Sequence, residues 1–423
     1  MAWNIVTGRT SAGVPVIVDS NPDSLSAGFM IGVKTGSRDE SQDIWGLSHL
    51  LEHVVFRATD TRTSFQMSKE IEGAGGLMNA FTGKEMTAFY GITLKETAQT
   101  AKDLVADIVC NPLIAPGDTE MEKKIVLQEI SMCENNPSNY IHDLFAETMW
   151  RDHALGHNEA GTSEIVSGLT SEDLRKYYGE RYLVPNLAVY ASGCVDFDDT
   201  VAWAEENLDR MAGGRANPRS APKVQKGIYR HIERKEDHCY VGIGFPAYDA
   251  KSRDRPAAQM LNAVLGSGSS SRMFNQVREQ RALVYSIYNY IDQNSDAGSM
   301  GTFFSSTEKN VLEAVETVGK VYREFLEEGV TEEELQKARN LVKGATVRQQ
   351  ESLDNRIYSL VSNHMLTGEA KTAEERLALL DSVTVDDVMR VAEDLIRGDR
   401  LTVVMYGNEV ESMKDFSPDQ IEL

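Results

Sequence analysis

Histidine is scarce in this chain, 8 residues of 423, and cysteine is scarcer still, with 4. Cys110, Cys133, Cys194 and Cys239 stand far apart, so there is no CxxC pair and no zinc-ribbon spacing. They read as reduced thiols of a cytoplasmic protein, not as a disulfide framework. Basic residues are also in deficit. Lys and Arg number 43 against 65 Asp and Glu, a net charge of −22. That sign argues against nucleic acid and against an anionic membrane surface as partners. It suits a soluble protein, with basic peptides as substrates and solubility alone as competing reasons. No run of about eighteen apolar residues occurs, so no membrane span is expected. The opening MAWNIVTGRTSAGVPVIV has no basic stretch followed by an apolar core, so no signal peptide is expected either. The hydrophobic share, 41%, is ordinary, and 423 residues leave room for two to four domains.

Against that scarcity, two histidines fall one helical turn apart in residues 46–56, GLSHLLEHVVF. On a helix, positions i, i+3 and i+4 share a face, which groups His49, Glu52 and His53. Two imidazoles so placed can grip one metal ion, with a carboxylate beside them. The order H-x-x-E-H is the inversion of H-E-x-x-H, and both orders occur as zinc peptidase motifs. Leu47, Leu50, Leu51, Val54, Val55 and Phe56 predict that the helix is largely buried, with Asp43 as its N-cap. Polar groups in such a place need partners, because leaving them unpaired is costly. The competing reading is a pair of core histidines satisfied by neighbours.

The rest of the chain alternates strand and helix signals. Strands are expected at 14–19, 26–34, 77–81, 87–92 and 186–192. Helices are expected at 63–71, 94–109, 119–135, 141–150 and 171–181. Residues 211–223, MAGGRANPRSAPK, are rich in Gly, Pro, Ala and basic residues without periodicity, and read as a linker near the midpoint. The two halves also resemble each other. Residues 169–178 (LTSEDLRKYY) match 383–392 (VTVDDVMRVA), and 186–193 match 400–407, both at an offset of 214 (384 − 170 and 407 − 193). Residues 118–123 match 330–335 at an offset of 212 (331 − 119). The expected fold is therefore α+β: two tandem repeats of one α/β-layered unit, a mainly antiparallel sheet with helices packed on it. The expected boundaries are 1–210 for the first unit, 211–226 for the linker and 227–423 for the second unit.

The repeat supplies an internal control. Shifted by 212 residues, His49, Glu52 and His53 fall on Leu261, Val264 and Leu265. The second copy keeps the buried helix and fills it with aliphatic side chains, so the fold itself does not require polar groups there.

Catalytic zinc takes three protein ligands and leaves a position open. The long helix at 119–135 offers Glu122 and Glu129, seven residues apart and so on nearly one face. Glu129 falls on Leu341 in the second copy, whereas Glu122 falls on Glu334. Glu129 is assigned as the third ligand. Glu122 is assigned as a partner that orients a ligand histidine through its other ring nitrogen. The competing reading leaves both as solvated helix charges. Glu52, next to His53, is read as the base that takes a proton from water at the open position and hands it to the leaving amine.

These residues give the sequence a resemblance to the pitrilysin-like zinc peptidases, which include insulin-degrading enzyme and the mitochondrial processing peptidases. His49 to His53 matches their inverted zinc motif. Residues 75–82, GGLMNAFT, match a glycine-then-Asn-Ala segment. Glu122 and Glu129 match the helix that carries the orienting and ligand glutamates. Residues 153–156 and 161–162 match a further stretch. Residues 269–285, SSSRMFNQVREQRALVY, match the segment that holds a paired arginine and tyrosine. Ala282 stands where that segment usually has glycine.

The resemblance implies that Arg278 and Tyr285 bind substrate backbone and stabilise a tetrahedral oxyanion. By its neighbours alone, Arg278 is equally compatible with a plain surface charge in the run Arg278-Glu279-Gln280-Arg281. The resemblance further implies that Asn79 and Ala80 lie on an edge strand, to which a substrate peptide adds as one more strand. Large single-chain members carry four such units and this chain two, so a dimer closing over a chamber is implied. A homodimer is expected because both site halves are present, with a heterodimer of this chain and a zinc-less homologue as the alternative. The expected function is a Zn2+-dependent endopeptidase acting on peptides or unfolded segments. The alternatives are a maturation peptidase subunit working on one precursor with a partner, and a non-catalytic scaffold subunit.

Overall fold

The computed structural model describes residues 3–423. Six strands form the first sheet: β1 (Asn4–Arg9), β2 (Pro15–Ser20), β3 (Ser26–Val33), β4 (Leu77–Thr82), β5 (Thr87–Leu94) and β6 (Leu187–Gly193). Five form the second: β7 (Tyr229–Glu233), β8 (Cys239–Ala247), β9 (Val284–Gln293), β10 (Gly298–Ser306) and β11 (Thr402–Gly407). The helices of the first half are α1 (Leu47–Val55), α2 (Ser64–Gly73), α3 (Ala98–Cys110), α4 (Pro116–Glu134), α5 (Pro137–Met149), α6 (Ser163–Gly168), α7 (Ser171–Arg181) and α8 (Phe197–Leu208). Those of the second are α9 (Arg255–Gly266), α10 (Val311–Glu328), α11 (Glu332–Gln349), α12 (Leu353–Thr367), α13 (Ala373–Asp381) and α14 (Val385–Leu395).

The strand orders show the repeat. The first sheet runs β1-β2-β6-β3-β5-β4 and the second β7-β11-β8-β10-β9. If β2 to β6 are matched with β7, β8, β9, β10 and β11, the two orders coincide. The pairs β2–β6 and β7–β11 are parallel, and the remaining pairs are antiparallel. The α+β fold of two like units is therefore as the sequence predicts. The short strand β1 is additional to the strands the sequence predicts, and the second sheet has no counterpart to it among the described residues.

By contacts the chain divides into two compact units. One takes the residues up to Ser131, then 157–219 and 348–373. The other takes 132–156, 220–347 and 374–423. Residues 213–228 form no helix or strand.

In the first unit one sheet face is closed by α3, α8 and α1, with Phe29, Ile31, Leu50, Leu51, Leu104 and Val189 fully or nearly fully buried. The other face is closed by α12, whose Ile357, Leu360, Val361 and Met365 pack on Ile17, Met30, Ala188 and Tyr190. In the second unit α9, α10 and α14 share a core with Val241, Ile243, Met300 and Val403. There α5 lies on the opposite face, with Phe145 and Met149 against Phe303, Val404 and Tyr406. Thus α5, from the first half of the sequence, and α12, from the second, are each used by the unit built mainly from the other half.

Some element ends differ from the sequence reading. Asp43 lies in a separate 3-10 turn, Gln42–Ile44, and does not cap α1, whose N-cap is Gly46. Helix α4 starts at Pro116, where proline is tolerated because a first-turn N–H has no intrahelical partner. Helix α3 starts at Ala98, after the short turn Lys95–Thr97. No helix among the described residues is long and apolar enough to cross a membrane.

Candidate metal centre

Helix α1 owes its place to its apolar stripe. Leu47, Leu50, Leu51, Val54 and Val55 are buried, and the alternate face carries His49, Glu52 and His53, each partly exposed. Gly46 begins the helix with φ 93°, in the left-handed region. A Cβ there would stand 2.4 Å from the carbonyl oxygen of Ala160, so the close approach also needs glycine. The first-turn N–H groups, which have no intrahelical acceptor, are met by a side chain from upstream. Gly46 N–H donates to Glu40 Oε2 at 2.8 Å, and Ser48 N–H donates to Oε1 at 2.6 Å. Burial pushes the Glu40 carboxyl up to about 8, against the pull of these N–H groups.

Helix α4 crosses nearby and presents two glutamates. Glu129 Oε2 lies 3.4 Å from His53 Nε2 and 3.7 Å from His49 Nε2. One ligand atom from each of His49, His53 and Glu129 falls within 4.8 Å of the others. Atoms in a tetrahedral zinc site, each about 2.0–2.2 Å from the ion, stand about 3.5 Å apart, which the separations of Glu129 from the two rings match. The donor set, two imidazoles and a carboxylate, is one that zinc accepts. At 3.7 Å the His49 contact is too long for a hydrogen bond, which leaves the two groups facing each other without direct pairing. The two imidazole rings meet edge to face with centroids 4.8 Å apart. Burial, with His53 beside it, lowers His49 to about 4, so the ring is neutral and able to ligate.

The other nitrogen of His53, Nδ1, is 3.1 Å from Glu122 Oε2. Glu122 is buried, and its Oε1 lies 3.5 Å from Arg57 Nη1. Arg57 Nε in turn is 3.6 Å from Asp118 Oδ1. Glu52 turns toward strand β4, where Thr82 Oγ1 donates to its Oε2 at 2.5 Å. Burial raises the Glu52 pKa, against that hydrogen bond and the nearby His53, and the Glu129 charge adds to the rise.

Strand β4 is the edge of its sheet. Asn79 pairs with Tyr90 and Ala80 with Phe89, and Asn79 Oδ1 accepts the Ala80 N–H at 2.9 Å. Asn79 is exposed, so both residues named from the sequence sit on an open edge beside the strand end that carries Thr82.

Arg278 and Tyr285 belong to the second unit and lie together there. The Arg278 guanidinium sits 5.7 Å from the Tyr285 ring centroid and 4.5 Å from that of Phe274. Arg278 lies in a π-turn, Phe274–Glu279, and Tyr285 is 82% exposed at the start of edge strand β9. Between them Ala282 has φ 53°, which explains why glycine is usual at this point of the resembling segment. The structure thus brings His49, Glu52, His53, Glu122 and Glu129 into one cluster in the first unit and Arg278 with Tyr285 into another in the second. Sequence reasoning missed Thr82, Arg57 and Glu40. Thr82 reaches the cluster through tertiary packing, with no local spacing to reveal it, and Glu40 reaches it from a turn outside the helix, whereas Arg57, four residues after His53, had a helical spacing that could have pointed to it.

Comparison with known proteins agrees with these observations. Residues 15–163 match the family described as insulinase, peptidase family M16, and residues 168–342 match the peptidase M16 inactive domain. An uncharacterized zinc protease of Streptomyces coelicolor is 33% identical over 393 residues, 91% of this chain and 85% of its own. Another from Bacillus subtilis is 30% identical, over 92% of this chain and 94% of its own. Among solved structures, a peptidase M16 inactive domain from Pseudomonas fluorescens superposes with a TM-score of 0.89 at 19% identity, covering 96% of this chain and 99% of that one. A protease from Helicobacter pylori superposes at 0.88 with 18% identity, covering 96% and 100%.

Proposed function

Because the chain belongs to peptidase family M16, whose models span both of its halves, we propose that it is a zinc-dependent endopeptidase acting on peptides and unfolded segments. The observation that carries this reading is the convergence of His49 Nε2, His53 Nε2 and Glu129 Oε2, with Glu52 on the same helix face as the histidines. These three residues would hold the metal. When bound, it supplies Lewis acidity, polarising water and a peptide carbonyl. Glu122 fixes the tautomer and the plane of His53 by holding Nδ1. Glu52 accepts the proton of the attacking water at its carboxylate and returns it to the departing amine. Its raised pKa, caused by burial, favours that return. The open edge of β4 takes the substrate as an added strand, with Asn79 and Ala80 in contact. Arg278 and Tyr285 offer a charged donor and a phenol to the developing oxyanion.

The stretch matched as an inactive domain, residues 168–342, lies downstream of the histidine pair. It supplies Arg278 and Tyr285. We further propose that two copies of this chain pair, so that each metal half meets an arginine and tyrosine half across a chamber. A native mass equal to one chain, under conditions of full activity, argues against the pairing.

The test is hydrolysis of a diverse peptide mixture by zinc-loaded protein, read by mass spectrometry. Glu52→Gln is expected to abolish cleavage while zinc stays bound at one ion per chain. A wild-type chain that cleaves no peptide, or binds no zinc, overturns the reading and leaves a non-catalytic subunit as the alternative.

A further inference from the structure

We infer that Glu40 is a positioning residue for the metal centre: its two carboxyl oxygens hold the first turn of α1, and with it the His49 ring, in register with Glu129. The inference rests on the metal-dependent reading of that centre.

Other helices of this chain take a side-chain cap from the N-cap residue itself, as α2 does from Thr63 and α7 from Thr170. Helix α1 cannot, because Gly46 has no side chain and no larger residue fits against Ala160. Glu40 caps it from outside the helix, accepting the N–H groups of Gly46 and Ser48 with one oxygen each. Ser48 immediately precedes His49, and its hydroxyl is tied a second time, 2.9 Å from the Tyr177 hydroxyl of α7.

Glu40 is itself immobilised, being only 6% exposed. The turn before it, Ser37–Asp39, is fastened to the loop between β4 and β5. Ser37 N–H donates to the Gly83 carbonyl at 3.2 Å and Arg38 N–H to the Lys84 carbonyl at 2.9 Å. Arg38 also pairs with the buried Glu85. Arg219 closes on Asp39 at 2.7 Å. The same hairpin carries Thr82, the hydrogen-bond partner of Glu52. One buried segment therefore sets the start of the histidine helix relative to the strand that orients Glu52. His53, a turn further on, is held independently by Glu122. Removing Glu40 is thus expected to disturb His49 more than His53.

The experiment compares wild type, Glu40→Ala and Glu40→Gln with cobalt(II) as the probe metal. In Glu40→Ala, cobalt affinity is expected to fall at least about tenfold, the lower end of what outer partners of metal ligands contribute. The visible d–d spectrum should change, and kcat for a peptide should drop with KM little altered. Amide exchange at residues 47–50 of the metal-free protein should quicken. Glu40→Gln keeps one accepting oxygen and should lie between, and it carries the test if the alanine variant does not fold. Wild-type affinity and spectrum in the folded variants overturn the inference, even if their melting temperature falls, because that leaves a stabilising cap alone. If wild type binds cobalt with a spectrum sensitive to Glu40 but cleaves no peptide, the peptidase reading fails and the role of Glu40 stands.

Discussion

Glu122 and Glu334 occupy equivalent places in the two repeats, yet they spend their carboxylates differently. Glu122 faces His53 Nδ1 at 3.1 Å, whereas Glu334 grips the Arg272 guanidinium with two hydrogen bonds of 2.7 and 2.9 Å. The repeat preserved the acid and exchanged its partner, from a metal-binding ring to a structural cation.

Glu122→Gln is expected to weaken zinc binding by about 10- to 100-fold, the usual cost of losing a partner that orients a ligand histidine. Competition against a chelator of known affinity measures it. Unchanged affinity would show that His53 needs no such partner.

Zinc should stabilise the chain through mass action. At free zinc a hundredfold above its dissociation constant the gain is about 2.7 kcal/mol. A chelator should therefore lower the urea midpoint of wild type and leave His53→Ala unmoved. Equal shifts in both proteins would place the metal elsewhere.

Glu334 gives a pH prediction. Burial pushes its carboxyl up, but Arg272 and the Thr331 N–H outweigh this and hold it down at about 2. Its folded pKa therefore lies below its unfolded value of 4.5. The contribution is complete above the unfolded value and is lost as pH falls toward the folded one. Urea midpoints at about pH 7 and about pH 3 should differ more in wild type than in Glu334→Gln. Identical differences would remove this pair from the acid sensitivity.

Ala282 holds φ 53° between the π-turn and β9. The left-handed region costs a residue with a Cβ about 1–2 kcal/mol, part of which the greater flexibility of unfolded glycine offsets. Ala282→Gly should raise stability by about 0.5–1 kcal/mol in urea unfolding. A loss of stability would mean that the methyl group packs usefully.

The residues legible in the sequence are those whose relation is local or repeated. His49, Glu52 and His53 share a face by helical period alone. The aliphatic trio Leu261, Val264 and Leu265 at the same places of the second copy separates function from packing without any tertiary information. Glu122 and Glu129 share a face in the same way, and the fold sets both beside α1. What could not be read depends on strand pairing and loop docking. Thr82 reaches Glu52 only because β4 lies against α1. Glu40 reaches Gly46 only because the turn before it is pinned to the β4–β5 loop. Asp43 has the look of a cap because it is an acid shortly before an apolar run, but the left-handed turn at Gly46 moves the helix start past it. Arg278 carries no local signal amid neighbouring charges, and its link to Tyr285 comes from resemblance alone. The two-sheet fold is legible as a repeat, but repetition cannot say which sheet α5 and α12 will cover.

That last arrangement bears on how the chain is made. During synthesis the first sheet is complete once β6 has emerged, yet one of its faces stays bare. Ile17, Met30 and Tyr190 wait for Ile357 and Val361, more than 160 residues later in the chain. Such distant closure slows folding and exposes apolar surface to aggregation in the interval. A nascent chain stalled before α12 should therefore be sticky and quick to recruit chaperones, and two separately expressed halves cut in the linker should be insoluble apart and recover only when produced together.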